Sequence, residues 1–233
     1  MIKRADMNID VRIKRTDPVS GETQWQTFEY DALGKPSVAK ILEEINLREQ
    51  LTDKDGKAAR RISWECSCLQ GVCGACAMVI DGRPALACET FVDPSAQSEV
   101  SIEPLRKFHV VADLVVDRSV IDKTLLESEV YIKDYNESSP DEFAHRYQAS
   151  KCLKCGLCLE VCPNWTGTGK FAGALFANDC YLVDSADSST EIRDEFGKHF
   201  AAGCSKSLSC MKVCPMKIET IASIAKMNRR KKR

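Results

Sequence analysis

Apolar and polar residues alternate along the first stretch of the chain. Ile9, Val11 and Ile13 share one face and Asp10, Arg12 and Lys14 the other, which predicts a strand over Met7 to Thr16. The turn residues Asp17-Pro18-Val19-Ser20-Gly21 follow. Gln24 to Tyr30, with Trp25, Thr27, Phe28 and Tyr30, reads as the returning strand. The period then lengthens. Val38, Ile41, Leu42 and Ile45 form a helix face that Ser37 can cap. Met78-Val79-Ile80 and Pro84-Ala85-Leu86 flank Asp81-Gly82, the signal of a two-residue hairpin. Val100-Ser101-Ile102 can close the sheet. Beyond Pro104 strand signals fade. Val110 to Ile121 and Asp122 to Asn136 carry helix-like spacing, Glu137-Ser138-Ser139-Pro140 breaks it, and Ala172 to Val183 and Ile192 to Ala202 resume it. The pattern predicts an α+β chain, with a mixed unit over residues 1–106 and a helical unit over 107–233.

Composition changes this picture at one point. The chain has 233 residues, 44% hydrophobic and 29% charged, with a net charge of −1, so nothing global points to nucleic acid. Apolar stretches such as Ala75 to Ile80 are far too short to span a bilayer. Met1 to Asp6 has no apolar core behind it, so no signal peptide is expected and a cytoplasmic location is. The thirteen cysteines stand out. A disulfide framework fits them poorly, because the count is odd and a reducing cytosol keeps thiols free. Clustered cysteines there more often bind metal.

Cys68, Cys73 and Cys76 are spaced C-x4-C-x2-C, and Cys88 returns after the Asp81-Gly82 hairpin. This is plant-type [2Fe–2S] spacing. Two tetrahedral irons need four thiolates around a small cluster, and Gly71 and Gly74 let the loop coil closely. The competing reading is a four-cysteine zinc site, but zinc knuckles usually pair two C-x2-C units. Without a histidine in the motif, a Rieske centre is excluded. Cys66 has no slot in the pattern and reads as a small buried hydrophobe.

Cys152-x2-Cys155-x2-Cys158-x3-Cys162-Pro163 is a bacterial-ferredoxin run, whose fourth cysteine ligates the other cluster of a pair. Its partner is Cys204-x5-Cys210-x3-Cys214-Pro215. Crossing the two gives Cys152, Cys155, Cys158 and Cys214 as one set, for a [4Fe–4S] cluster. Cys162, Cys204 and Cys210 form the other. That set is one ligand short, because Ser207 stands where a full run has cysteine. A serine hydroxyl is a poor iron ligand at neutral pH. A [3Fe–4S] cluster is expected, against a four-iron centre completed by Ser207 or water. Cys180 lies in an apolar helical stretch and reads as core. His109, His145 and His199 show no ligand spacing.

Together these motifs, with Leu86-Ala87-Cys88-Glu89-Thr90 and Asp113-Leu114-Val115-Val116-Asp117, resemble the iron–sulfur subunits of succinate dehydrogenase and fumarate reductase over almost the whole chain. The resemblance implies a plant-type ferredoxin β-grasp domain followed by an all-α bacterial-ferredoxin-like domain. It implies an electron relay between an FAD flavoprotein and a membrane anchor, peripheral on the cytoplasmic side of the membrane. Dicarboxylate chemistry would lie on the flavoprotein, leaving no catalytic residue here. Many members carry adjacent tryptophans and a histidine near the third cluster. Here Trp165 stands alone after Pro163, and Ser205 follows Cys204. This looks like the branch with a di-haem cytochrome b anchor and menaquinone, with Pro163, Trp165 and Ser205 as acceptor-side contacts. A soluble multi-cluster carrier and a thiol-linked fumarate reductase subunit are the rival readings; the latter would be expected to carry two complete four-cysteine runs. The basic end, Asn228 to Arg233, reads as a solvated tail or a contact for anionic lipid.

Overall fold

Alternation over the first residues becomes β1 (Met7–Thr16), paired antiparallel along its length with β2 (Thr23–Ala32). The structure is a computed structural model and describes residues 7–133, 135, 140–186 and 191–229. The break at 137–139 and the basic residues 230–233 lie outside the described residues.

Ser37 caps α1 (Val38–Asn46) as the spacing predicts, its Oγ accepting from the Lys40 N–H at 3.2 Å. β3 (Ala77–Ile80) and β4 (Arg83–Leu86) form a tight hairpin with Ile80 opposite Arg83. Asp81 and Gly82 both have positive φ, 47° and 73°, the requirement of a type I′ turn. β5 (Glu99–Glu103) runs parallel to β1 and antiparallel to β3, giving the sheet order β2-β1-β5-β3-β4. Ile9, Val11 and Ile13 are buried with Phe28, Val100, Ile102, Ile41, Leu42 and Ile45. Each such side chain contributes about 1.5–3 kcal/mol by leaving water. The alternating face of β1 and the apolar face of α1 are therefore part of one core.

Residues 110–117 differ from expectation. They form the hairpin of β6 (His109–Ala112) and β7 (Val115–Asp117), not the start of a helix. β-Branched valines at 110, 111, 115 and 116 favour strand. Asp113, at φ 45°, turns the chain between them. Its carboxylate is fully buried and accepts from both guanidinium groups of Arg15 and Arg60 and from the N–H groups of Thr16 and Ser63. That node ties the hairpin to the sheet unit. The two compact units accordingly meet at Asp117 and Arg118, whereas the sequence reading puts the join at 106–107.

Helices make up the second unit: α2 (Ser119–Glu127), α3 (Pro140–Ser150), α4 (Leu157–Glu160), α5 (Gly173–Ala186), α6 (Glu191–Phe196), a π-helix (Gly197–Ala201), α7 (Ser209–Val213) and α8 (Thr220–Asn228). α5 is buried almost all round, which marks it as the central helix. It packs against α3, α4, α6 and α8. α4 packs against α7, so the two cysteine-bearing runs face one another.

Candidate metal centres

In the sheet unit, Cys68, Cys73 and Cys76 lie on one loop that leads into β3, and Cys88 lies just after β4. The segment holding Cys88 is fixed from two sides. The Ala87 N–H donates to the Cys76 carbonyl at 3.0 Å, while Ala39 and Val38 at the start of α1 donate to Ala87 and Thr90 at 3.0 and 2.9 Å. Leu86-Ala87-Cys88-Glu89-Thr90 is thus held between helix and hairpin. The sulfurs of Cys76 and Cys88 are 3.4 Å apart, and Cys68 and Cys73 form the second neighbouring pair. Two thiolates on one tetrahedral metal with bonds of about 2.3 Å stand about 3.8 Å apart. The pairing suits two metal ions.

Backbone N–H groups point at these sulfurs. Gln70 N donates to Cys68 Sγ and Gly71 N to Cys88 Sγ, both at 3.3 Å. Donors from Gln70 and Val72 bring the Cys68 thiol down to about 7. Burial pushes Cys88 up to about 12. A thiol so placed keeps its proton unless a metal takes the proton's place. Gly71 has φ 73°, and a Cβ there would stand 2.9 Å from Glu89 Cγ and Cδ. Only glycine lets the backbone approach Cys88 here without strain.

The helical unit gathers the remaining cysteines in two groups. The electrostatic neighbours of Cys158 are Cys155, Cys152, Cys210 and Cys214, and those of Cys210 are Cys162 and Cys204. The groups are adjacent through Cys158 and Cys210. Burial pushes Cys152 up to about 12 and raises Cys155, Cys158 and Cys210 as well. The N–H groups of Lys154, Leu157 and Met211 aim at Cys152, Cys155 and Cys210 and oppose that rise. All thirteen cysteines are free thiols. One pocket is lined by Cys162, Cys204 and Cys210 together with Ser205 and Ser207. Phe171, Phe200, Leu208, Ile221 and Ile224 form its apolar wall.

Trp165 is buried and packs with Ile121, Leu125, Leu159 and Phe176, away from that wall. Pro163 is exposed beside Cys162. Cys66 is exposed, not a buried hydrophobe, and Cys180 is fully buried in α5. The sequence reading missed Asn178 and Asp179. Asn178 donates to the Ala149 carbonyl at 3.0 Å and so fixes the end of α3, three residues before Cys152. Two polar residues inside an apolar helical stretch were the available signal.

A 2Fe-2S iron-sulfur cluster binding domain model matches residues 10–123, and a 4Fe-4S dicluster domain model matches residues 148–218. The succinate dehydrogenase iron-sulfur subunit of Bacillus subtilis is 31% identical over 217 residues, covering 86% of this chain and 84% of the relative. The chain belongs to the family of succinate dehydrogenase and fumarate reductase iron–sulfur subunits. The fumarate reductase iron-sulfur subunit of Wolinella succinogenes is 26% identical over 240 residues, covering 95% of this chain and 96% of the relative. Among solved structures, a chain of the Mycobacterium smegmatis Sdh1 complex in the apo form shares the fold, with a TM-score of 0.75 at 22% identity over 96% of each chain. As an iron–sulfur subunit the chain carries a [2Fe–2S] and a [4Fe–4S] cluster. Among the described residues no helix is long and apolar enough to cross a membrane.

Proposed function

We propose that this iron–sulfur subunit relays single electrons between an FAD-bearing succinate or fumarate subunit and a membrane anchor, through three clusters. Cys68, Cys73, Cys76 and Cys88 hold [2Fe–2S]. Cys152, Cys155, Cys158 and Cys214 hold [4Fe–4S]. Cys162, Cys204 and Cys210 hold [3Fe–4S]. The first ligand domain extends beyond the sequence-read limit of 106 to Asp117, because Asp113 anchors the β6–β7 hairpin to it, and the second begins at Arg118. When bound, the clusters supply one-electron carriers. The chain's own residues aim N–H donors at several of the thiols and hold the loops. Dicarboxylate chemistry is assigned to the flavoprotein.

The observation that carries this reading is the pocket lined by the thiols of Cys162, Cys204 and Cys210, with Ser207 also on its wall. Low-temperature EPR of the air-oxidised native complex tests it. An oxidised three-iron centre is paramagnetic, so its signal is expected, and a silent spectrum would overturn the assignment. Ser205 on the same pocket wall supports an anchor of the di-haem cytochrome b type, with menaquinone as the quinone. A purified complex without haem absorbance would overturn that part. The subunit sits peripherally on the cytoplasmic side, held by the anchor, and washing at high salt should not release it from membranes that contain the anchor.

A further inference from the structure

The helical unit holds an ion pair that bears on one thiol. Asp179 lies on α5 and is only 8% exposed. Its Oδ2 is buried with no hydrogen-bond partner among the described residues, and Lys154 Nζ stands 3.6 Å away. A buried carboxylate oxygen left without a hydrogen bond costs stability, so packing alone does not account for it. Both partners are tied to the same cysteine run. Lys154, at φ 50°, lies between Cys152 and Cys155 and aims its N–H at the Cys152 sulfur. The Asp179 carboxylate acts on Cys152 as a negative neighbour. Asn178, the preceding residue, pins α5 to the end of α3. The charge of Asp179 is thereby held in a fixed place beside the run.

We propose that Asp179 and Lys154 are an opposed charge pair that sets the reduction potential of the four-cysteine centre by acting at Cys152. The proposal rests on the assignment of Cys152, Cys155, Cys158 and Cys214 to that centre. An added electron makes the centre more negative. A neighbouring carboxylate opposes this and lowers the potential; a neighbouring ammonium favours it and raises the potential. The two do not cancel. Lys154 is 47% exposed and Asp179 12% at the side chain, so water screens the lysine far more. The net effect of the pair is to hold the potential down.

EPR-monitored redox titration of the native complex at about pH 8, well above the Asp179 carboxyl that burial pushes up to about 6, tests this. In Asp179→Asn the oxidised-to-reduced ratio at a fixed poise is expected to fall about tenfold, a rise of about 59 mV for a one-electron couple. Lys154→Met is expected to move it the other way by less, and the double variant to fall between the two. The other two centres should not move. An unmoved or lowered potential in Asp179→Asn overturns the proposal. Should that variant fail to assemble, Lys154→Met decides, because its side chain is half exposed, and an unmoved or raised potential there also overturns it. A missing four-iron signal in the unsubstituted complex would instead remove the ligand assignment, whereas an intact signal with unmoved potentials removes only the charge pair.

Discussion

Replacing Asp113 by Asn should unfold the sheet unit far more readily than any surface substitution, although the two side chains are nearly isosteric. Asp113 is fully buried and takes five donors: Arg15 Nη2 at 3.1 Å, Arg60 Nη1 at 3.1 Å and Nη2 at 2.9 Å, and the N–H groups of Thr16 at 3.0 Å and Ser63 at 2.8 Å; Arg15 Nε adds an ion-pair contact at 3.0 Å. An amide keeps one acceptor oxygen but turns an NH2 toward the Oδ2 side, where Ser63, Arg15 and Arg60 all donate. The charge is also lost. Arg15 is 4% exposed, so its guanidinium stays buried beside a neutral group. Breaking a buried pair this way costs about 3–5 kcal/mol. Three other acceptors, Gln26 Oε1 and the Arg60 and Arg61 carbonyls, still serve Arg15, which favours the lower end. Arg60 adds little, since it is 41% exposed at the side chain and water screens it.

For a chain of this size, a loss of about 3 kcal/mol lowers the melting temperature by roughly 6–12 °C. The assay is thermal melting of the holo chain, followed by visible circular dichroism of the [2Fe–2S] cluster. Ser63 lies five residues before Cys68, so the same change should loosen the approach to that loop. Arg60→Ala should cost under about 1 kcal/mol. A drop of less than about 3 °C in Asp113→Asn, or an Arg60→Ala variant that melts as early, would refute the reasoning from burial.

Four further changes separate ligands from neighbours. Gly71→Ala forces a left-handed residue to carry a Cβ against Glu89, and should cost about 1–2 kcal/mol and lower [2Fe–2S] occupancy, read by iron content and EPR. Ser207→Cys places a fourth thiol in the pocket of Cys162, Cys204 and Cys210, so the three-iron signal should give way to a second four-iron signal. Cys66→Ser and Cys180→Ala should both keep all three signals; the first sits at the surface and should leave stability unchanged, whereas the second opens a small cavity in α5 and should cost about 1 kcal/mol by melting.

Much of the sheet unit was legible because each of its elements obeys one period. β1 alternates with period two, and α1 shows a single apolar stripe under a serine cap. The hairpin carries its own turn residues. Residues 110–117 were not legible in that way. Four valines and an alanine fit a helix face as well as two short strands, and the residue that decides between them, Asp113, does so through partners 50 to 98 positions away. α5 hid its meaning for the opposite reason. A helix buried on every side has no stripe, so its periodicity did not single out Asn178, which holds Ala149 at the end of α3. The ligand sets were easier to read than the fold, because spacing along the chain is itself the constraint when three thiolates must come from one loop.

That constraint has a consequence that distinguishes the two units. In the proposed assignment all four thiols of the sheet unit serve one centre, so Cys73→Ser should damage the [2Fe–2S] signal alone. In the helical unit the same assignment has each run supply thiols to both centres, and α4 packs on α7 between them. It gives Cys214 to the four-iron set, although Cys214 ends the run that carries Cys204 and Cys210. Cys158 and Cys210 are also electrostatic neighbours across the two sets. Cys214→Ser should therefore remove the four-iron signal and broaden or weaken the three-iron signal as well, while the [2Fe–2S] spectrum stays intact. If the three-iron signal kept full intensity and line shape with the four-iron signal gone, the two runs would not share their packing as the structure has them. If the three-iron signal alone were lost, the exchange of last cysteines between the runs would be wrong.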